Sequence, residues 1–522
     1  RLRRRWFTLL LALAAPLAPS ARADEPESAV RALEEELNTL KEAQEKADLE
    51  VRKLRERSEK QAQTLEAQNS VIADLRKRLQ EAEALKTQIQ GIEARLAELG
   101  DGGGKKSQSP VDFGLRADVR IRPEISSNRT DFDGGDENDD RDAFWGHRVR
   151  LGIDLGVEDW VRTRIRFQDA RVFGQTTTSG DGIGLHEGWA EVSPPWAQGL
   201  TIRAGRTELA YGRERLVGTD DFGLTGQAFD GGFIRYEFAP YISVDAFYAK
   251  TRESAGVEGD GDFFGVYAST SGIPFTTLDI YYMGLLDELD VQEPTANGQE
   301  RRLEERNIHT LGARIELLAS GFLFEGEAMF QLGSRTDPVE PTRELDHFAT
   351  AYHAEVSYQI PVLTLPALGA FFTWASGDPN PNDGNSIDFN PLFPSRQAYL
   401  GKMNLFNLTN IMDVGGFLEL TPPRGFGAHF AFHYFRLPNT SGPLPGGFGA
   451  GKTPDPTSPD LARQAIGNNV GYEIDLVLSW APSDLISLEG GYSVFLPKQV
   501  IQSLGGGTDA AHWAYLQFRV QY

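Results

Sequence analysis

Eight arginines recur at alternate positions in three short segments of the chain. They are Arg116, Arg120, Arg122, Arg148, Arg150, Arg162, Arg164 and Arg166. Apolar residues such as Leu115 and Leu151 stand between them. Successive side chains of a β-strand point to opposite faces, so paired strands would gather the arginines into one positive patch. A patch of this kind selects anions when it lines a pore.

Two interpretations of the arginine patch are open. The arginines could line a path for an anionic solute, or they could pair with carboxylates such as Asp118 and Asp154 and only brace the structure. Carboxylate partners are abundant, because the chain has 75 Asp and Glu against 52 Lys and Arg and a formal net charge of -23. The same acidity argues against a nucleic-acid partner.

Other chemistry is weakly indicated. The acidic run at 131–142 could hold calcium or bridge to lipopolysaccharide, but it departs from the EF-hand pattern, and a solvated loop is the simpler interpretation. The chain has no cysteine, which excludes a thiolate zinc site and a cysteine nucleophile. No nucleophile elbow or metal-ligand spacing stands out. We therefore expect neither enzymatic activity nor a cofactor.

The elements that must position the arginines are β-strands. From residue 113 onward apolar and polar residues alternate, and about eighteen strands can be placed. The connections are alternately short, as at 157–159 and 361–365, and long, at 123–143, 210–227, 287–307, 376–409 and 438–467. Short periplasmic turns and long external loops are typical of outer-membrane barrels. We predict an all-β transmembrane barrel over 112–522, whose last strand pairs with the first and whose lumen holds the arginines.

Three further segments precede the predicted barrel. Residues 1–23 have the basic start, the apolar stretch and the Ala21-Arg22-Ala23 cleavage site of a signal peptide. Residues 24–99 repeat every seven positions, which predicts a periplasmic coiled coil that self-associates, three-stranded rather than two-stranded. Residues 100–111 are rich in glycine at their start and predict a flexible linker.

Three blocks of the predicted barrel resemble the alginate export porin family. They cover 200–231, 375–401 and 471–476, and the matching positions include Arg203, Arg206, Arg215, Asp230, Ser376, Gly377, Asp378, Glu473 and Asp475. The resemblance implies a barrel of about eighteen strands with an arginine-rich lumen for an anionic polysaccharide. The coiled coil is extra to that family's barrel.

These patterns lead to one leading hypothesis and two alternatives. The leading hypothesis is an integral outer-membrane channel for anionic solutes, which exports an acidic exopolysaccharide such as alginate. The first alternative is a general or phosphate-type porin that passes small anions and assembles as a homotrimer through the coiled coil. The second is a structural tether, in which the barrel sits among membrane lipid and lipopolysaccharide and the coiled coil reaches toward the cell wall.

Overall fold

The computed structural model describes most of the predicted barrel. The described residues are 111–134, 140–174, 183–239, 241–253, 260–295, 298–337, 343–362, 364–380, 383–440, 467–504 and 506–522. The predicted signal peptide, the coiled coil, the linker up to residue 110 and residues 135–139 of the acidic run lie outside them. Within the described ranges, no helix has the length and apolar character needed to cross a membrane.

Nineteen strands follow one another within the described ranges. They are β1 (Val111–Ser127), β2 (Asp142–Val157), β3 (Val161–Val172), β4 (Gly184–Val192), β5 (Leu200–Thr207), β6 (Phe229–Ala239), β7 (Ile242–Arg252), β8 (Gly261–Ile273), β9 (Thr276–Thr295), β10 (Gly298–Ala319), β11 (Phe322–Thr336), β12 (Glu344–Gln359), β13 (Ala367–Ala375), β14 (Asn385–Ser386), β15 (Ile411–Leu420), β16 (Phe426–Arg436), β17 (Asn469–Ser483), β18 (Ile486–Pro497) and β19 (Ala511–Gln521). A short helix, α1 (Gln499–Ser503), precedes β19.

Eighteen of these strands close a barrel. Each pairs antiparallel with its neighbour in the chain, β13 pairs with β15, and β1 pairs with both β2 and β19. The two-residue β14 instead pairs parallel with β12. Closure leaves no strand edge with unpaired backbone groups, which a lipid bilayer would not tolerate. The predicted closed barrel of about eighteen strands, with the last strand beside the first, is confirmed.

The two faces of the wall differ as the alternation predicts. On the outer face, large apolar side chains are exposed, among them Leu115 at 58% and Leu151 at 57%. The arginines between them point the other way, into the lumen, and Arg148 is 0% exposed. An apolar outer band is what hydrocarbon requires, since a charge there would cost about 2–4 kcal/mol at mid-bilayer.

One long connection of the sequence-based prediction is wrong. Residues 287–307 are mostly strand, because β9 and β10 continue as a ladder in which Gly298 lies opposite Thr295. Backbone hydrogen bonds can carry a hairpin beyond the membrane without an apolar face, so hydropathy alone did not reveal this extension. Apart from the connection between β9 and β10, the short turns, such as 158–160, lie at one end of the barrel, which in outer-membrane barrels is the periplasmic end.

Two long connections at the opposite end fold back into the lumen. The first inward segment is residues 208–228, between β5 and β6, and the second inward segment is residues 376–410, between β13 and β15. Their apolar side chains form a core with inward-facing residues of the wall. Its buried members include Leu216, Val217, Phe263, Phe389, Leu400, Met403, Phe406 and Phe435. The hydrophobic core of this protein therefore lies inside the barrel.

Candidate functional site

The central feature of the lumen is a carboxylate held by three arginines. Asp221 lies in the first inward segment. Its Oδ1 accepts hydrogen bonds from Arg148 at 2.7 Å and Arg150 at 3.1 Å, and its Oδ2 accepts one from Arg519 at 3.0 Å. Arg148 and Arg519 also bind Asp118 of β1. The wall thus forms a carboxylate site, and a loop of the same chain fills it.

Arginines of β1 hold the backbone of the same segment. Arg120 donates to the carbonyl oxygens of Asp221 and Gly223, each at 2.5 Å. Arg122 donates to the carbonyl of Phe222 at 2.7 Å, and its guanidinium carbon lies 4.2 Å from the centre of the Phe222 ring. These contacts fix both the charge and the position of the loop tip against β1, β2 and β19.

The other arginines of the predicted patch lie nearer the short turns. Arg116 and Arg164 both pair with Asp154, the second at 2.7 Å, and Arg166 pairs with Glu187 at 3.0 Å. Arg162 is exposed. The patch is therefore divided: Arg120, Arg122, Arg148 and Arg150 are buried beneath the first inward segment, whereas Arg116 and Arg162 remain open to solvent.

Three of the positions that carry the family resemblance dock the inward segments. Arg215, in the first segment, is buried and donates to Glu327 of β11 at 3.0 Å. Glu473 and Asp475 of β17 accept the backbone N–H groups of Met403 at 2.8 Å and Lys402 at 3.2 Å, both in the second segment. These residues hold the loops to the wall rather than standing free in the channel.

The remaining positions of the resemblance have several placements. Arg203 pairs with Glu191 and lies over the Trp189 ring, whereas Arg206 and Asp230 pair on the outward face of β5 and β6. Ser376 donates to the carbonyl of Ile387, and Asp378 accepts the N–H of Asn380. Gly377 has no room for a side chain, because a Cβ there would lie 1.9 Å from Asn410 Oδ1.

The two inward segments form one unit. Val217 and Phe393 make a parallel bridge, with the N–H of Phe393 bonded to the carbonyl of Leu216 at 2.8 Å. Arg396 of the second segment pairs with Asp220 of the first at 2.9 Å. Releasing Asp221 from the arginines would therefore disturb both segments together.

A cavity of about 1040 Å³ lies between this unit and the turn that joins β15 to β16. We call it the vestibule. One side is formed by the inward segments, including Arg213, Asp221 and Lys402. The wall of β12–β18 supplies the other side, with histidines, carboxylates and three phenylalanines. These are His353, Glu355, Phe371, Phe417, Glu419, Phe426, His429, His433, Asp475 and Glu489. The vestibule is an aqueous approach to the inward segments from the short-turn end.

Acid should not free the first inward segment. Burial raises the pKa of Asp221, but the charges of Arg148, Arg519 and Arg150 outweigh it and hold that pKa well below its usual range. A carboxyl whose folded pKa is depressed stabilises the fold fully above about pH 4, and this contribution is lost only as the pH falls through the folded pKa. Between about pH 5 and pH 7 the segment should therefore stay in place.

A spin label can report on this expectation. The chain has no cysteine, and Thr225 is exposed beside the held loop tip, so Thr225→Cys gives a single attachment point. The mobility of a nitroxide there should be the same at pH 7 and at about pH 5. We call the ion pairs of Asp221 with Arg148, Arg150 and Arg519 the Asp221 lock. A rise in mobility at the lower pH would show that this lock titrates in the physiological range.

Sequence analysis missed Asp221, Arg519 and the inward path of both loops. A signal was present, because a solvated external loop has little reason to carry many large apolar residues. The two loops contain Leu209, Tyr211, Leu216, Val217, Phe222, Phe389, Phe393, Leu400, Met403, Leu405 and Phe406. Apolar content in a long connection of a barrel thus indicates a loop that folds into the lumen.

Solved structures share the barrel. Acinetobacter baumannii OccAB1 aligns at 10% identity with a TM-score of 0.50, over 78% of this chain and 96% of that one. Pseudomonas aeruginosa OccK8 (OprE) aligns at 12% identity with a TM-score of 0.49, over 79% and 98% of the two chains. At 10% identity, the OccAB1 alignment supports the fold of the barrel alone. No curated protein sequence matches this chain.

The family comparison is more specific than the fold. The family model described as "Alginate export" matches residues 110–514, which is nearly the whole of the barrel. The match includes both inward segments and strands β1–β3 and ends before Arg519, and it agrees with the resemblance stated from the sequence blocks. This chain belongs to the alginate export family.

Proposed function

We propose that this barrel exports an acidic polysaccharide, such as alginate, across the outer membrane. The observation that carries the proposal is the carboxylate of Asp221 bound by Arg148, Arg150 and Arg519 inside the lumen. A uronic acid polymer has a carboxylate on every sugar. The arginines are therefore already arranged for the chemical group that such a polymer presents.

Exchange of one carboxylate for another gives a simple way to open the pore. Removing Asp221 alone would leave three guanidinium groups short of a partner in a poorly solvated place, which is costly. A polymer carboxylate entering the same site keeps these groups paired while the loop tip moves away. The narrow form of the pore is then stable in the absence of substrate and widens when a polyanion reaches the site.

Three arginines nearer the short turns, which we call the approach arginines, support transport from the periplasmic end outward. Arg116, Arg162 and Arg164 lie in the short-turn halves of β1 and β3, where Arg162 follows the first residue of its strand. A polyanion that enters from the periplasmic end would meet them before it reaches Asp221. Positive side chains there raise the local concentration of anions and lower that of cations.

Replacing these three approach arginines should lower anion selectivity. In an Arg116→Gln, Arg162→Gln, Arg164→Gln variant, Asp154 would lose both of its arginine partners, so the approach becomes negative. We expect the permeability ratio of chloride to potassium to fall several-fold, measured from the reversal potential in planar bilayers under a salt gradient. The fold should survive, because Arg116 and Arg162 are exposed and exposed ion pairs contribute only about 0–1 kcal/mol.

A matched control uses an arginine on the other face of the wall. Arg206→Gln with Asp230→Asn removes an ion pair that points outward, and selectivity should not change. If the triple variant keeps the selectivity of the unaltered chain, the approach arginines do not form an anion path.

A further inference from the structure

We infer that the vestibule holds a stacking platform for the pyranose rings of a saccharide, formed by Phe371 and Phe417 with His429 and His433. The inference rests on the proposed function, since it takes the transported solute to be a saccharide. It adds a second kind of contact, which recognises the sugar ring rather than its charge.

The two phenylalanines lie against the wall in a reciprocal arrangement. Phe371 of β13 faces Gly415 of β15, and Phe417 of β15 faces Gly369 of β13. A Cβ built on Gly369 would lie 2.3 Å from Cζ of Phe417, and one built on Gly415 would lie 2.4 Å from Cζ of Phe371. Each ring therefore occupies the space of the side chain missing on the opposite strand, which lays it across the wall.

Two histidines of β16 extend the aromatic surface. The ring centres of Phe417 and His429 are 5.9 Å apart with an interplanar angle of 24°, and those of Phe371 and His433 are 4.9 Å apart at 45°. His433 lies opposite Gly415, so the glycine is flanked by an aromatic ring on both sides. The four rings form two aromatic pairs over β13, β15 and β16.

The two phenylalanines and His429 are open where other inward aromatic side chains are covered, whereas His433 beside Phe371 is only 5% exposed. Inward phenylalanines beneath the two inward segments are almost fully buried, with exposures of 5% or less at Phe229, Phe247, Phe263, Phe435 and Phe495. Phe371 and Phe417 are only half-buried, and both border the vestibule of about 1040 Å³. Pockets of roughly 300–1,000 Å³ hold drug-sized ligands, so the vestibule has room for several linked sugars.

The groups around the platform suit a saccharide. An aromatic ring carries negative potential on its face and attracts the slightly positive C–H groups on the flat side of a pyranose. Glu355 and Glu419 also line the vestibule and can accept hydrogen bonds from sugar hydroxyls, and Lys402 can donate to them. Because the neighbouring carboxylates would not attract a free anion, the platform should bind the ring, while the arginines bind the carboxylate.

The test measures how long oligosaccharides block the ionic current of the full chain in planar bilayers. Two probes of equal length are added from the short-turn side: a tetramer of mannuronic acid and the neutral tetramer cellotetraose. In a Phe371→Leu, Phe417→Leu variant, the block should shorten about tenfold for both probes, because two stacking contacts are lost. A Phe371→Trp, Phe417→Trp variant should keep the long block, since it keeps the aromatic faces.

A control variant separates the platform from general effects on the barrel. Phe372→Leu with Phe430→Leu removes two outward-facing phenylalanines on β13 and β16 and should leave both block times unchanged. Equal block times in the inward leucine variant and the unaltered chain would overturn the inference. So would a loss confined to the charged tetramer, or the absence of any block by cellotetraose in the unaltered chain.

Block times measured in two variants distinguish failure of the platform from failure of the proposed function. The variant of the three approach arginines should shorten the block by the uronic acid tetramer and spare that by cellotetraose. If it shortens neither while the leucine variant shortens both, the anionic path is wrong and the platform stands. If the arginine variant behaves as expected and the leucine variant changes nothing, the platform alone is wrong.

Discussion

Asp221→Asn should raise the single-channel conductance of the barrel several-fold. The substitution keeps the size of the side chain but removes the charge that holds the loop tip to Arg148, Arg150 and Arg519. The amide keeps one accepting oxygen but loses the negative charge, and its NH2 group cannot accept a bond from an arginine, so the attraction to the three arginines weakens. The first inward segment should then leave the wall more often, and the second should follow it through the Val217–Phe393 bridge.

Two further variants make this result specific. Asp169→Asn removes a carboxylate that pairs with Arg171 and His147 on β3 and β2, away from the inward segments, and should leave conductance unchanged. Asp221→Glu keeps the charge and should stay closer to the unaltered chain than Asp221→Asn does. Equal conductance of the Asn variant and the unaltered chain would mean that Asp221 does not control the width of the pore.

Arg148→Met should lower the free energy of unfolding by about 3–5 kcal/mol. Arg148 is fully buried and is bonded to both Asp118 and Asp221, so its loss leaves both carboxylates short of a partner, and the side chain of Asp118 is only 14% exposed. Methionine fills much of the same volume, which limits any contribution from a cavity. Urea unfolding from phospholipid vesicles, followed by tryptophan fluorescence, measures the change.

A double-mutant cycle identifies the cause. If unpaired charge is responsible, adding Asp221→Asn to Arg148→Met should recover part of the lost stability, so that the two effects are not additive. Arg171→Met removes a partly exposed ion pair on β3 and should cost no more than about 1 kcal/mol. Strict additivity of the Arg148 and Asp221 changes would contradict an electrostatic lock.

The sequence predicts the wall of this barrel well, because the alternation of apolar and polar residues within one strand shows which side chains face outward and which face the lumen. Arg116 and Arg148 occupy equivalent places in the alternation, and the structure places both on the lumen side. It also gives them different surroundings, exposed for Arg116 and fully buried for Arg148. The difference comes from Asp221, which lies 73 residues after Arg148, so no local pattern could have predicted it.

The platform was beyond prediction for a related reason. Alternation within β13 and β15 assigns Phe371 and Phe417 to the lumen face, but their flat placement depends on the glycines that stand opposite them. That pairing follows from the register between two strands separated by the second inward segment. A single strand does not contain that information, and a register shift of one residue in either strand would turn the ring of that strand to the other face.

The three hypotheses predict different electrical behaviour. A channel for acidic polysaccharide should prefer anions, respond to the Asp221 lock and be blocked by uronic acid oligomers. A general porin should be little affected by the lock and weakly selective. A structural tether should conduct neither in the unaltered chain nor in Asp221→Asn. Self-association through residues 24–99 remains a prediction that any of the three could accommodate.

The reversal potential of the purified, unaltered chain in planar bilayers under a potassium chloride gradient tests the central claim most directly. We predict a potential of the sign that marks chloride as the more permeant ion, despite the net charge of -23 on the whole chain. The prediction follows from the arginines of β1–β3 that face the lumen. A potential near zero, or one that marks potassium as the more permeant ion, would contradict an anion-conducting lumen.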